Sequence, residues 1–211
     1  MDRLSRLIMV RHGETDGESS IRYYGRTDVP LSNLGRSQAR EARWKIPGRT
    51  YEAIWTSPLS RAWESAEIIV PESTLHLEAD FREIDFGRWE GLTREEIEIM
   101  DPESHARWQD GHPDFEFPGG EKRADFRRRI EAGLERLRAS GVESAMIVAH
   151  KGVLRTLLEL VSGQTLPAGL PELGGVFQIY RDLDRVWQTG RRGSDPSCSE
   201  APIGIPMSDP G

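Results

Sequence analysis

Hydrophobic and polar positions follow two periods along the chain, one typical of buried strands and one typical of amphipathic helices. Short apolar runs that contain β-branched residues, such as Leu7 to Val10, predict strands, because they are too short for helices. Two segments near the carboxyl end alternate and predict a terminal hairpin. The predicted strands cover 7–10, 53–56, 75–77, 146–149, 176–180 and 185–188.

Apolar residues recur at helical spacing in four segments between these strands. Ser32 fits the N-cap of the first helix, which has Leu34 on its apolar side. Ser57 and Pro58 open the second helix, where proline suits the first turn and Trp63 belongs to the apolar stripe. The predicted helices cover about 33–46, 57–70, 121–140 and 153–161.

The alternation of strands and helices predicts an α/β fold, a three-layer α/β/α sandwich with a mainly parallel central sheet. Residues 93–120 are acidic, aromatic and turn-rich, and we expect one or two short helices that form a cap over the sheet edge. Glycine, proline and serine dominate after Gly190. We therefore expect one domain at 1–190 and a disordered tail at 191–211.

Composition narrows the class of protein. The 211 residues carry a formal net charge of −7, which gives no basic character for binding nucleic acid. No apolar run approaches a membrane span, and the first residues lead into no secretory segment. The single cysteine, Cys198, excludes an internal disulfide. We expect a cytoplasmic protein with no nucleic-acid or membrane partner and no cofactor.

Two of the predicted strands end in histidine. Arg11, His12 and Gly13 follow the first strand, and His150 follows the strand at 146–149. In open α/β sheets ligands bind beyond the carboxyl ends of the strands. If the two strands are neighbours, they place two imidazoles and the Arg11 guanidinium at one edge, with Gly13 allowing close approach to a ligand.

The ordered motifs around these histidines resemble the histidine phosphatase superfamily, in its phosphoglycerate mutase-like branch. The similarity is greatest to small bacterial phosphatases such as the α-ribazole phosphatases, and it covers about residues 5–190. The matching segments are Arg11–Thr15, Gly25–Ser32 with Gly35 and Gln38–Ala39, Thr56–Ala62, Glu83–Gly87 with Trp89–Gly91, Pro118–Glu121, and Ala149–His150 with Gly152–Val153.

The resemblance implies a phosphatase with five catalytic residues. His12 is the expected nucleophile, neutral at Nε2 if a backbone carbonyl receives Nδ1–H, and Glu83 is the expected general acid and then base. His150, if protonated, would donate to a phosphoryl oxygen. Arg11 and Arg61 supply planar forks for phosphate oxygens, and their charges would lower the pKa of His12.

Further residues are expected to contact the substrate or are excluded from the site. The expected binding residues beyond Arg11, Arg61 and His150 are Thr15, Ser19, Gly25 and Arg26. His105, His112, Asp110 and Asp114 match no closed zinc set, so we expect no metal.

Several residues have a purely structural alternative. Arg61 has Glu64 and Glu67 as alternative partners on its own helix. Glu83 competes as the acid with Asp80, Asp85 and Glu90, of which Asp85 also suits a turn cap. The basic outer face of the helix at 121–140, with seven Lys or Arg and four acids, is interpreted as solvated.

Two positions depart from the family pattern. Glu18 stands where asparagine is common and contacts phosphate, so the carboxylate either points away or leaves the contact to Ser19 or Ser20. Lys151 stands where glycine usually follows the second histidine, where it adds a phosphate donor or restricts the pocket.

Three functions remain open at this point. The leading interpretation is a metal-independent phosphomonoesterase acting on a small phosphorylated metabolite, such as a sugar phosphate, α-ribazole phosphate or a phosphoglycerate. A phosphoglycerate mutase is the second, although mutases carry a longer insertion than the 67 positions between Glu83 and His150. A catalytically weak regulatory or binding member is the third. The expected partner is a small-molecule phosphate ester, with a homodimer possible.

Overall fold

A single six-stranded sheet organises the protein. The structure, a computed structural model, describes residues 2–46, 51–112, 114–166, 170–182 and 184–189. The strands are β1 (Arg6–Arg11), β2 (Ala53–Thr56), β3 (Leu75–Leu77), β4 (Ser144–Ala149), β5 (Val176–Arg181) and β6 (Trp187–Thr189). Their order in the sheet is β3-β2-β4-β1-β5-β6. The first four strands are parallel, β5 runs antiparallel to β1, and β6 runs antiparallel to β5. The predicted mainly parallel sheet and terminal hairpin are confirmed.

Helices cover both faces of the sheet. They are α1 (Asn33–Lys45), α2 (Ser60–Ile69), α3 (Arg94–Met100), α4 (Pro102–Gln109), α5 (Arg123–Ala139) and α6 (Lys151–Ser162). Successive strand residues point to opposite faces, so Ile8 packs with Ala42 of α1, whereas Leu7 packs in the core that α5 and α6 complete. The result is the predicted three-layer α/β/α sandwich.

The start of α1 follows the local sequence, but the start of α2 does not. The Ser32 hydroxyl accepts a hydrogen bond from the Gly35 backbone at 3.1 Å, as an N-cap does. The sequence pattern predicts the second helix from Ser57, but α2 begins at Ser60. Its first N–H donates to the carboxylate of Asp28 at 2.8 Å, so a residue distant in sequence supplies the cap.

Two residues expected on buried stripes lie at the surface. Leu34 is 59% exposed and Trp63 is 36% exposed. At about 100° per residue, Leu34 lies roughly 140° around the helix from the buried Ala39. The helical period is correct, but the buried arc is narrower than the pattern suggests.

The segment after β3 forms short helices and an aromatic cluster. Single-turn 3₁₀ helices lie at Ala79–Phe81 and Gly87–Trp89. They precede α3 and α4, which are the two short helices within the segment 93–120. Trp89, Ile97 and Phe115 form the buried centre of this segment. The tail expected at 191–211 lies outside the described residues. Within the described part of the chain, no helix combines the length and apolar character needed to cross a membrane.

Candidate active site

The carboxyl ends of three parallel strands bring the predicted histidines together. In the ladder, Arg11 of β1 pairs with Ala149 of β4, so the next residues, His12 and His150, are neighbours. Their ring centroids are 5.1 Å apart. Ser57 follows the end of β2 at the same edge. The expectation that both histidines share one sheet edge is therefore confirmed.

His12 is held with a free lone pair at Nε2. Its ring is 4% exposed, and Nδ1 lies 2.7 Å from the Gly13 carbonyl oxygen. A carbonyl only accepts, so Nδ1 carries the proton and Nε2 carries none. Burial, followed by the charges of Arg61 and Arg11, holds the pKa of His12 well below its ordinary value. The imidazole is thus neutral and nucleophilic over a wide pH range.

Burial and positive charge oppose the protonation of His150 in the same way, and the donor role expected for it stays a prediction. Burial, then the charge of Arg61, places the pKa of His150 well below its ordinary value. Its Nε2 lies 2.8 Å from the Ser57 hydroxyl, which itself accepts the Leu59 N–H at 3.2 Å. The Ser57 hydroxyl therefore holds the imidazole ring at Nε2, and Nδ1 has no hydrogen-bond partner among the described residues.

Arg61 is fixed by backbone carbonyls rather than by an acid on its own helix. The side chain is fully buried, and its terminal nitrogens donate to the carbonyls of Tyr24, Gly25 and Thr27 at 2.7–3.1 Å. Glu64, the alternative partner, binds Arg36 at 2.7 Å instead. Among the described residues no carboxylate forms an ion pair with this guanidinium, although Glu83, Asp28 and Glu90 act on it electrostatically.

Several nitrogens of this cluster have no hydrogen-bond partner. Arg11 donates through Nη1 to the Pro171 carbonyl at 2.9 Å. Within the part of the chain that the structure describes, the buried Nε of Arg11, Nε of Arg61 and Nδ1 of His150 are unpaired. The two guanidinium Nε–H groups are therefore free to donate to an anion.

Glu83 is the carboxylate that reaches this cluster. It is 7% exposed and accepts the N–H groups of Gly152 at 2.9 Å and Ile84 at 3.0 Å. Burial raises the pKa of Glu83, with the hydrogen bonds and the charges of Arg61 and Arg11 opposing it. A raised pKa favours the protonated form that a general acid needs.

The competing carboxylates are engaged elsewhere. Asp85 accepts the Gly87 N–H and pairs with Arg26 at 3.1 Å, so it caps the turn. Asp80 pairs with Arg136. Glu90 accepts N–H groups from both sides of the site: Gly25, Arg26, Thr27 and Phe86.

Arg129 of α5 fastens the segment that carries Glu83. Its guanidinium donates to the carbonyls of Asp80, Arg82 and Glu83 at 2.6–3.0 Å and forms a two-pronged pair with Glu121. The basic face of α5, interpreted as solvated, is thus partly structural. The bonded groups lie 46 to 49 positions apart along the chain, which local patterning does not report.

The loop after β1 folds around the carboxylate of Glu14. That carboxylate accepts the Ser19 hydroxyl at 2.8 Å and the N–H groups of Thr15 and Ser20 at 2.9–3.1 Å. Glu18 points away, since its side chain is 66% exposed and lies 3.7 Å from Arg22. The binding roles expected for Thr15 and Ser19 remain predictions.

Two glycines of the motifs have packing roles. A Cβ on Gly13 would lie 2.3 Å from the Gly35 carbonyl oxygen, so Gly13 admits the start of α1 rather than a ligand. A Cβ on Gly25 would lie 1.8 Å from the Ile84 carbonyl oxygen. Because Gly25 has no side chain, the loop whose carbonyls bind Arg61 can pack closely against the backbone next to Glu83.

The sequence reasoning missed Ser57, Glu14, Glu90 and Arg129 as supports of the site. Ser57 follows a strand at the same edge as the histidines, and this placement was an available signal. Glu14 and Glu90 belong to matching motifs, but their partners are loop N–H groups that only the fold identifies.

The residues weighed for a metal site are His105, His112, Asp110 and Asp114. His105 is buried, where its Nε2 lies 2.9 Å from the Gln109 amide nitrogen. Among the described residues, His, Cys, Asp and Glu side chains form no group of three or more suited to a metal ion.

The chain is similar to proteins of known family. A bifunctional protein of Mycobacterium tuberculosis is 35% identical over 185 residues, covering 85% of this chain and 48% of that protein. The chain therefore spans about half the length of that relative. A protein of Bacillus subtilis that carries the name uncharacterized phosphatase PhoE is 34% identical over 188 residues, covering 87% of this chain and 88% of that protein.

A solved structure shows the same fold. The α-ribazole phosphatase of Shigella flexneri superposes with a TM-score of 0.74 at 24% identity, covering 88% of this chain and 94% of that one. The family model of the histidine phosphatase superfamily, branch 1, matches residues 7–171. The match includes both histidines, both arginines and Glu83. The chain belongs to the histidine phosphatase superfamily.

Proposed function

We propose that the protein is a metal-independent phosphomonoesterase that hydrolyses a small phosphorylated metabolite through a phosphohistidine at His12. The single observation that carries the proposal is that His12 and His150 meet at one sheet edge, with ring centroids 5.1 Å apart, where burial and then the charges of Arg61 and Arg11 lower the pKa of His12. Phosphoryl transfer needs positioned positive charge and hydrogen-bond donors more than it needs covalent chemistry from the protein.

The first half of the reaction transfers the phosphoryl group to the protein. Nε2 of His12 attacks phosphorus while the bond from phosphorus to the ester oxygen breaks. Arg11, Arg61 and His150 stabilise the charge on the phosphoryl oxygens. Glu83 gives its proton to the departing oxygen, so the alcohol leaves neutral and Glu83 becomes a carboxylate.

The second half returns the protein to its starting state. The Glu83 carboxylate takes a proton from water as the water oxygen attacks phosphorus, and the bond from phosphorus to Nε2 breaks. Inorganic phosphate is released, while His12 is again neutral and Glu83 again protonated. The raised pKa of Glu83 suits both roles, because it lies closer to neutral pH than that of an exposed carboxyl.

Trapping of the intermediate tests the nucleophile. Quenching the wild type during turnover should yield an acid-labile, base-stable phosphoprotein, and His12→Ala should yield neither this species nor turnover. Substantial activity in His12→Ala would overturn the covalent mechanism. Phosphoryl transfer to an added alcohol in place of water would favour a mutase, and trapping without release would favour a regulatory protein.

Leaving groups test the acid. An alkyl phosphate releases a strongly basic alkoxide and needs a proton, whereas p-nitrophenyl phosphate releases a stabilised phenolate. General acid catalysis contributes on the order of a hundredfold or more in rate. In Glu83→Gln the rate of the pre-steady-state burst, which reports phosphorylation of His12, should therefore fall by about that factor with alkyl esters. It should fall much less with the nitrophenyl ester. An equal loss with both esters would exclude Glu83 as the acid and direct attention to Asp85.

A further inference from the structure

A cavity of about 860 Å³ opens beside Glu83, on the side where an alcohol would depart. Glu83 and Gly152 line it, whereas His12, Arg61 and His150 do not. The cavity therefore adjoins the proposed position of the phosphoryl group without being part of it. Its volume lies within the range of ligand pockets and is large for a three-carbon alcohol.

One wall of the cavity is aromatic. Residues before, within and after α4 supply the rings, and the members of this wall are Tyr23, Phe86, Trp108, Phe115 and Phe117. Neighbouring rings meet edge to face, with centroids 4.9–5.5 Å apart for the pairs Phe86–Phe117 and Tyr23–Trp108. Such a wall suits the carbon skeleton of an organic leaving group.

Another part of the cavity wall carries positive charge, although the whole protein is acidic. Lys151, Arg155, Arg123 and Arg127 line it. Of these, Arg127 pairs with Glu159 at 3.0 Å. Glu83, the other carboxyl in the lining, has a raised pKa and carries less negative charge than an exposed acid. The wall thus has an excess of positive charge facing a space that is partly shielded from water.

Lys151 is the cation in this wall that lies nearest to the chemistry along the chain. It separates His150 from Gly152, whose N–H donates to Glu83. Its side chain is half-buried, and within the described residues no carboxylate lies in ion-pair distance of it. Burial, then the charges of Arg11 and Arg155, lowers the pKa of Lys151. An anion in the cavity would relieve this unfavourable environment.

We propose that Lys151 makes this cavity a subsite for a second anionic group, so that the substrate is a phosphomonoester whose alcohol portion carries a carboxylate or another phosphate. The inference rests on the proposed phosphatase function and adds the class of leaving group. Lys151 acts here as a specificity-determining residue, separate from Arg11 and Arg61, which bind the transferred phosphoryl group.

Three aryl esters with a common skeleton test the subsite: phenyl phosphate, 3-carboxyphenyl phosphate and resorcinol bisphosphate. The first has no second anion, and the other two distinguish a carboxylate from a phosphate. The wild type should prefer the second or third ester in kcat/KM. Lys151→Met should lower that preference about tenfold, as expected for loss of a charge-assisted contact. Lys151→Arg should restore most of it, which a merely structural role would not predict.

The control is Arg128→Met, an exposed cation on α5 that does not line the cavity. It should leave the relative kcat/KM values of the three esters unchanged. Competition by inorganic phosphate separates the two possible positions of Lys151. If Lys151 held the transferred phosphoryl group, Lys151→Met would weaken inhibition by inorganic phosphate and slow all three esters equally, which would overturn the proposal.

The outcomes also separate this inference from the proposed function. If the wild type forms a His12-dependent phosphoprotein from phenyl phosphate but shows no preference that depends on Lys151, the subsite is wrong and the phosphatase mechanism stands. If no phosphoprotein forms and none of the three esters is hydrolysed, the proposed function fails, and the subsite fails with it.

Discussion

Nε2 of His150 lies 2.8 Å from the hydroxyl oxygen of Ser57, a contact that joins the ends of two parallel strands. Both side chains are buried, and the contact holds the ring of His150 in place. One contact therefore links the register of β2 and β4 to the donor expected to face the phosphoryl group.

Replacement of Ser57 by alanine should lower activity without unfolding the protein. Loss of one buried hydrogen bond corresponds to about 0.5–1.5 kcal/mol, or about two- to thirteenfold in kcat/KM. The measurement is steady-state hydrolysis of phenyl phosphate. Ser162→Ala is the matched control, because that hydroxyl bonds the Leu158 carbonyl at the far end of α6. Equal effects of both changes would argue against a positioning role for Ser57.

The Gly152→Ala substitution should displace Glu83. A Cβ at residue 152 would lie 2.5 Å from Oε1 of Glu83. Turnover of alkyl phosphates should fall by about a hundredfold, in the range of general acid catalysis. Adding Gly152→Ala to Glu83→Gln should then cause little further loss, since both changes remove the same function. Fully additive losses would show that residue 152 acts by another route.

The dependence of activity on pH should reflect the lowered pKa of His12 and the raised pKa of Glu83. Neutral His12 is needed, and its lowered pKa keeps it neutral below the ordinary histidine value of about 6.5. Protonated Glu83 is needed, and its raised pKa extends protonation above that of an exposed glutamate. Activity should fall as pH rises through the Glu83 pKa.

Glu83→Gln tests that assignment because glutamine has no such titration. The ratio of wild-type to Glu83→Gln kcat/KM should decrease as pH rises, and ionisation of the substrate cancels from this ratio. The measurement is hydrolysis of an alkyl phosphate across the stable pH range. A ratio that is constant with pH would contradict a proton held by Glu83.

Arg129 should matter for stability and for the acid, whereas its neighbour Arg128 should not. Arg129→Met removes donors to three carbonyls and to Glu121, and the free energy of unfolding should fall by about 2–3 kcal/mol. Arg128 pairs only with Asp125 on the exposed surface, so Arg128→Met should change it by less than about 0.5 kcal/mol. Denaturant titration measures the free energy of unfolding of both variants. Similar losses in the two variants would refute a stabilising role for the hydrogen bonds of Arg129.

The loss of activity in Arg129→Met should follow the leaving group. If Arg129 positions Glu83, alkyl phosphates should be affected more than p-nitrophenyl phosphate, as in Glu83→Gln. A uniform decrease with both esters would assign Arg129 to general stability alone.

The sequence by itself determined the strands, the layers and the meeting of two histidines at one edge of the sheet. Apolar runs such as Ile8 to Val10 can be buried only as strands covered on both faces, and a parallel sheet then places the residues at their carboxyl ends along one edge. His12 and His150 end two such runs, so their meeting was predictable. Family membership was also predictable, because the order of several motifs is more specific than any one of them.

Only the tertiary structure decided which groups serve these residues. It places Glu83 against the N–H groups of Gly152 and Ile84, and it places Asp85 in a turn cap. It gives Arg61 three carbonyl partners instead of Glu64. It packs Gly13 against the start of α1. It also caps α2 with Asp28. Most of these contacts join groups that are distant in the chain. Local spacing records periodicity and propensity, whereas the partner of a buried polar group is set by which distant backbone the fold brings within about 3 Å.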